Sequence, residues 1–276
     1  MSYQRPDGRL LTETRNMTTC FDGLDGVDGS ARFGFGETKA LASVSGPIEV
    51  RPAAEQPSKA TFEVIVRPLA GLAGTESKTM ASTIRNAQLP SLILTNNPRT
   101  LVQVVVQSLS TVHTAHVNRT AGPLRSGPSL IAATINAASL ALLNASSIPL
   151  CGVVCAIAIG RVRSTGELFV DPSEEELRFL DGSGTFAFLV SGKKVEDRGS
   201  KGDAELVFSN WSAAPFGEEE LGRVIELARA GALRVRDHFK EVIALDVLGG
   251  VQEDEDMGAG SEAKQELVDD EKMEIS

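Results

Sequence analysis

The strongest pattern along the chain is a run, residues 129–144, that is apolar on nearly every side of a helical wheel: Leu130, Ile131, Ile135, Leu140, Leu142 and Leu143. A helix without a polar face is a buried helix. Ala132, Ala133, Ala137, Ala138 and Ser139 fill the places between, good helix formers small enough to let other backbones come close. Ser129 reads as its N-cap and Pro149 as its stop. Residues 150–160 follow, β-branched and almost continuously apolar, and predict a core strand. A buried helix feeding a buried strand marks the middle of a domain.

The other elements are arranged around that pair. Residues 30–35 and 39–46 predict a hairpin turning at Gly36-Glu37-Thr38, with few charges and edge-type strands. Residues 60–67 alternate as a strand, 77–94 keep a helical period despite Pro90, and 100–109 are a strand again. Short strands are expected at 167–170, 184–190 and 204–208, with one turn of helix at 174–176. Over 216–244 an apolar stripe recurs at helical spacing (Leu221, Val224, Ala228, Ala232, Val235, Phe239), leaving Glu226, Arg229, Arg236 and Lys240 outside it. Residues 111–128 and 193–203 are polar and read as loops, and residues 1–20, with Arg5, Arg9 and Arg15, as an extended N-terminal arm. Strands grouped ahead of helices predict an α+β fold rather than a parallel α/β wrap.

Composition adds little to this picture; charge changes it. The chain has 276 residues, 42% apolar with 5% aromatic, which suits a core of aliphatics and alanine. No apolar run looks like a membrane span and the polar start is not that of a signal peptide, so no membrane partner is expected. The net charge of −10 is concentrated at one end: residues 251–276 hold ten acids and two bases, or −8, leaving −2 for the rest. That stretch predicts a disordered acidic tail, and the nearly neutral remainder excludes a strongly basic nucleic-acid module.

Isolated chemistry-bearing residues point to no site. His113 and His116 have metal-like spacing but no carboxylate or thiol near them in sequence, and read as part of a solvated loop. Cys151 and Cys155 fall on the expected core strand, on one face, and read as packing residues. With Cys20 the cysteines are odd in number, which suits a reducing compartment. Gly34-Phe35-Gly36 lacks the following helix of a nucleotide loop, and Asp25 to Asp28 read as a turn. No metal or cofactor is expected.

Three stretches in register resemble the RNase PH family. They are Asp25 to Lys39 with Val44-Ser-Gly-Pro-Ile48, the helix text from Ile135 to Leu142 followed by Ile148-Pro149, and Val170-Asp-Pro-Ser-Glu-Glu-Glu176. The last resembles most the subunits of the eukaryotic exosome ring. The resemblance implies an RNase PH-like, ribosomal protein S5 domain 2-like α+β domain over residues 21–248, after an arm at 1–20 and before the tail at 251–276.

Active members of that family are phosphorolytic 3′→5′ exonucleases. They hold phosphate with an arginine at the start of the central helix and use an aspartate pair six residues apart. Here the phosphate step falls on Leu130 and Ile131, and the aspartate positions on Asp171 and Leu177. An anion site needs a cation beside the helix amides, and acid–base or metal work needs the second carboxylate. Asp181 comes four residues too late to replace it. Arg85 falls where the family has a phosphate-binding arginine, and the loop over residues 68–78 keeps one cation, Lys78. Those two are weak RNA-binding candidates, since non-specific affinity scales with the phosphates neutralised.

The resemblance therefore implies a non-catalytic structural subunit of the exosome core ring, of the ribosomal-RNA-processing type. It also implies paralogous RNase PH-like neighbours, S1/KH RNA-binding cap subunits, RNA passing through the assembled channel, and residence in nucleus, nucleolus and cytoplasm. Two alternatives stay open: an active phosphate-dependent exoribonuclease, and a small-molecule kinase on a related fold. The kinase would need a glycine-rich phosphate loop, of which Ser126-Gly-Pro-Ser129 is the only trace.

Overall fold

The computed structural model describes residues 3–110, 127–191 and 204–273, with side chains placed as far as residue 245. Two sheets form the body of the molecule. The first contains β1 (Met17–Cys20), β2 (Gly29–Phe35), β3 (Thr38–Glu49), β4 (Thr61–Arg67) and β5 (Thr100–Ser108), in the order β1-β2-β3-β5-β4. All neighbours are antiparallel except β4 and β5, which are parallel and joined through helix α1 (Thr75–Gln88). The second is antiparallel, with β6 (Val153–Val162), β7 (Leu168–Val170), β8 (Leu180–Val190) and β9 (Ala204–Ala213) in the order β7-β6-β8-β9. The mixed first sheet and segregated elements agree with the α+β expectation.

Helix α2 (Pro128–Ala145) packs on β2 and β3 of one sheet and on β6 and β8 of the other. Nearly every side of it is covered, as the pattern requires: Leu130, Ile135, Leu140 and Leu142 are at most 2% exposed, and Ile131 and Leu143 are half-buried. Each such side chain contributes about 1.5–3 kcal/mol on burial. Contrary to the sequence expectation, α2 does have the length and apolarity of a short membrane span; enclosure between two sheets accounts for both. Gly29 permits a close approach of β2 to α2, since a Cβ there would lie 2.4 Å from the Ala145 nitrogen.

Three polar atoms in this apolar helix have a defined task. The last strand pairing on the β7 side of β6 stops at Ile159, so the backbone before it has no strand beside it on that side. Asn136 Nδ2 donates to the Ala156 carbonyl (2.9 Å), and Asn136 Oδ1 accepts from the Ala156 amide (2.7 Å). Ser139 Oγ lies 2.6 Å from the Val154 carbonyl. The helix thus completes a buried strand edge that would otherwise carry unpaired backbone groups.

Several expectations are corrected. Ser129 is not the N-cap: Gly127 is, with Pro128 in the first turn, where a missing amide hydrogen costs nothing. Helix α1 ends at Gln88, and Pro90 sits in a 3-10 turn, Leu89–Ser91. The strand expected from residue 150 begins at Val153, so Cys151 is exposed ahead of it while Cys155 is buried within it. The hairpin of β2 and β3 has no open edge, because β1 flanks one side and β5 the other. Strand β1 escapes a pattern search because its four residues have no apolar run.

The N-terminal arm is docked rather than free. Arg5 is 3% exposed, Tyr3 and Leu11 pack on a cluster of Val162, Phe169 and Leu180, and the Val170 amide donates to the Leu11 carbonyl (2.9 Å). The last helix, α3 (Glu218–Met273), buries Val224, Ala228, Ala232 and Val235 as its stripe predicts. It continues through the stretch expected to be a disordered tail; Glu, Ala, Lys and Met, which recur there, are good helix formers. The chain separates into two compact units, Met1–Arg236 and Asp237–Ser276. His113 and His116, the polar loop around them and the loop expected at 193–203 lie outside the described residues.

Candidate functional site

The start of α2 meets a corner formed by the end of β7 and the 3-10 turn Glu176–Phe179. At the helix start the Gly127 carbonyl accepts the amides of Leu130 (3.0 Å) and Ile131 (3.2 Å). Leu130 is buried and Ile131 half-buried, so the first turn presents alkyl groups and one hydroxyl, Ser129. Leu177 packs on the cluster of Val162, Phe169 and Leu180, and a Cβ added to Gly127 would lie 3.6 Å from its Cδ1. The structure therefore brings the first turn of α2, Leu177 and Asp171 to one corner.

Asp171 follows β7 with φ of 50°, a left-handed conformation that aspartate tolerates better than most residues, and is fully buried. Its Oδ2 accepts from the Arg15 amide (2.9 Å) and Nε (2.8 Å), and its Oδ1 from Arg15 Nη2 (2.6 Å). Ser129 Oγ stands 3.1 Å from the same Oδ1 and 2.7 Å from the Pro172 carbonyl. Glu176, equally buried, is held bidentately by Arg5 at 2.9 Å on each oxygen and accepts the Ser173 amide (2.7 Å). Arg5 also donates to the carbonyls of Glu13, Val170 and Asp171, and its guanidinium lies 4.7 Å from the Phe169 ring centre.

Arg9 stands between the two acids, 3.6 Å from Asp171 Oδ2 and 3.8 Å from Glu176 Oε2, and bonds Asp7 through Nε (2.5 Å). Burial acts upward on the Asp7 carboxyl, but hydrogen bonds from Arg9 outweigh it and hold the group below its ordinary value. Three guanidiniums thus face three carboxylates. Both oxygens of Asp171 are bonded to Arg15 or Ser129, which leaves it poorly placed to move a proton or ligate a metal.

The remaining candidates lie elsewhere. Asp181 pairs with Arg161 on β6 (2.8 Å), which also bonds Glu220 (2.7 Å); the Asp181 hydrogen bond raises the Arg161 guanidinium above its already high value. Arg85 and Lys78 are exposed on α1, seven residues and so two turns apart. Arg85 Nε donates to the Phe62 carbonyl on β4 (3.1 Å), the outermost strand of its sheet, so it guards an edge. Sequence reasoning missed Arg5, Arg9, Arg15 and Glu176 as a set. The legible signals were Arg5-Pro-Asp-Gly-Arg9, a turn that brings two arginines together, and Ser173-x-x-Glu176.

Comparison with known proteins places this geometry in context. Residues 13–147 match the family model described as 3′ exoribonuclease family, domain 1. The yeast Saccharomyces cerevisiae protein named exosome complex component RRP46 is 31% identical over 222 residues, 80% of this chain and 92% of that protein. The rice protein named exosome complex exonuclease RRP46 homolog is 28% identical over 258 residues, 91% of this chain and 100% of the relative. A crystal structure of rice Rrp46 superposes with a TM-score of 0.68 at 26% identity, covering 86% of this chain and 98% of the other.

Proposed function

Because the chain belongs to the RNase PH family of 3′ exoribonucleases, we propose that it is a non-catalytic, structural subunit of an exosome core ring. Its work is to hold a place in the wall of an RNA channel and so to support 3′→5′ RNA processing, including ribosomal-RNA maturation, by the assembly. One observation carries the inactive assignment: the corner that would hold phosphate and a carboxylate pair contains Leu130, Ile131 and Leu177, while Asp171 is occupied by Arg15 and Ser129. A helix start without a cation binds an anion weakly, and one engaged carboxylate provides neither general acid nor metal pair.

The word exonuclease in the rice relative's name favours a second reading, an active phosphate-dependent enzyme. One experiment separates the two. The purified full chain, incubated with single-stranded RNA and inorganic phosphate, is expected to release no nucleoside diphosphates. Release in proportion to protein, retained through successive purification steps, would establish the active enzyme.

The partners that fit are paralogous RNase PH-like subunits beside it and S1/KH RNA-binding proteins above, in nucleus, nucleolus and cytoplasm. RNA contact by this chain is slight, with Lys78 and Arg85 as its candidates. Co-expression with ring paralogues should yield a one-to-one heterodimer in sedimentation, burying upwards of about 1,000 Å². A monomer that ignores every paralogue would remove the ring assignment.

A further inference from the structure

Asp171 and Glu176 find their counter-charge far away in sequence: Arg5 is 171 residues from Glu176, and Arg15 is 156 from Asp171. All three arginines sit on one short segment, which is otherwise fastened by Tyr3 against Phe169, by Leu11 and by an Arg234 hydrogen bond to the Thr12 carbonyl. The segment's outer side is open to water, with Leu10 71% exposed. The metal-holding aspartate pair of active relatives does not fit this corner. Leu177 occupies the second position in an apolar cluster, and the oxygens of Asp171 already accept from a guanidinium and a backbone amide.

We propose that residues 3–16 are a built-in latch: Arg5, Arg9 and Arg15 supply the positive charge that Asp171 and Glu176 require, so the corner takes no external cation and its order depends on the arm. The dependence is electrostatic and does not involve any ring. Two carboxylates buried side by side need neutralising partners. Here one continuous strap provides them, with Arg9 within 4 Å of both acids. Through Ser129 the same charges reach the first turn of α2, so releasing the strap should loosen residues 127–131 and 168–177 together.

Hydrogen-exchange mass spectrometry on the full chain tests this. Arg15→Gln should speed exchange at 127–131 and 168–177 by about tenfold or more, the factor expected from losing charge-assisted hydrogen bonds, with β4 and β5 unchanged. Arg15→Lys retains the charge and should give a clearly smaller acceleration. Arg9→Gln, which alters a more peripheral contact, gives the same local pattern at lower amplitude and carries the test if Arg15→Gln does not fold. Millimolar Mn2+ should leave exchange of the unmodified protein unchanged. The latch is overturned if Mn2+ protects the corner of the unmodified chain, if the Gln and Lys variants behave alike, or if the corner's exchange is indifferent to Arg9 and Arg15.

Discussion

Asn136→Leu is expected to lower the free energy of unfolding by about 2–6 kcal/mol, although it replaces a polar residue in an apolar helix by a better helix former. The side chain is fully buried and is bonded to both backbone groups of Ala156, in the middle of β6. Leucine would remove a donor and an acceptor at once. It would leave the Ala156 N–H and C=O without partners where water does not reach, at about 1–3 kcal/mol for each unsatisfied group. Ser139→Ala provides the scale: it takes the hydroxyl from the Val154 carbonyl and from Gln88 Nε2, which keeps its bond to the Ile135 carbonyl, and should cost about 1–2 kcal/mol. Urea denaturation of the two variants against the unmodified chain reads both values. A loss below 1 kcal/mol for Asn136→Leu would mean that the strand edge finds other partners.

Arg5→Met should be comparably severe, at about 3–5 kcal/mol, the cost of breaking a buried pair from one side. Methionine fills much the same space over Phe169 but cannot answer the Glu176 carboxylate, which is 0% exposed. Adding Glu176→Gln should recover part of the loss, because a neutral amide tolerates the site without a counter-ion. The double variant compared with both single ones in thermal or urea unfolding isolates the coupling. Strict additivity would show that Arg5 acts through packing and its carbonyl hydrogen bonds, and its pairing with Glu176 would then be energetically idle.

These two residues illustrate different kinds of legibility. Asn136 sits in the most readable stretch of the chain, yet nothing in a helical wheel says why one asparagine interrupts it. Its purpose exists only once β7 proves too short to cover β6 along its length. Arg5, in contrast, lies in a stretch whose polar composition suggests an extended arm. Its burial depends on a carboxylate 171 residues further along the chain, Glu176, a distance over which no local pattern carries information. Leu130, Ile131 and Leu177 were singled out by the resemblance to family motifs and not by any local pattern. That Leu177 joins the Tyr3, Leu11 and Phe169 cluster was not legible.

Local rules by themselves determined the buried central helix, nearly all strands, the amphipathic part of the last helix up to about residue 244 and the concentration of negative charge at the end of the chain. Each follows from side-chain periodicity or composition within a window of a few turns. The tertiary structure alone decided which strands are edges, what completes the open side of β6, and how the buried acids of the 168–177 corner are neutralised. Those outcomes depend on pairing between distant segments. A buried polar group accepts whichever partner the fold delivers, and its own sequence neighbourhood does not name that partner.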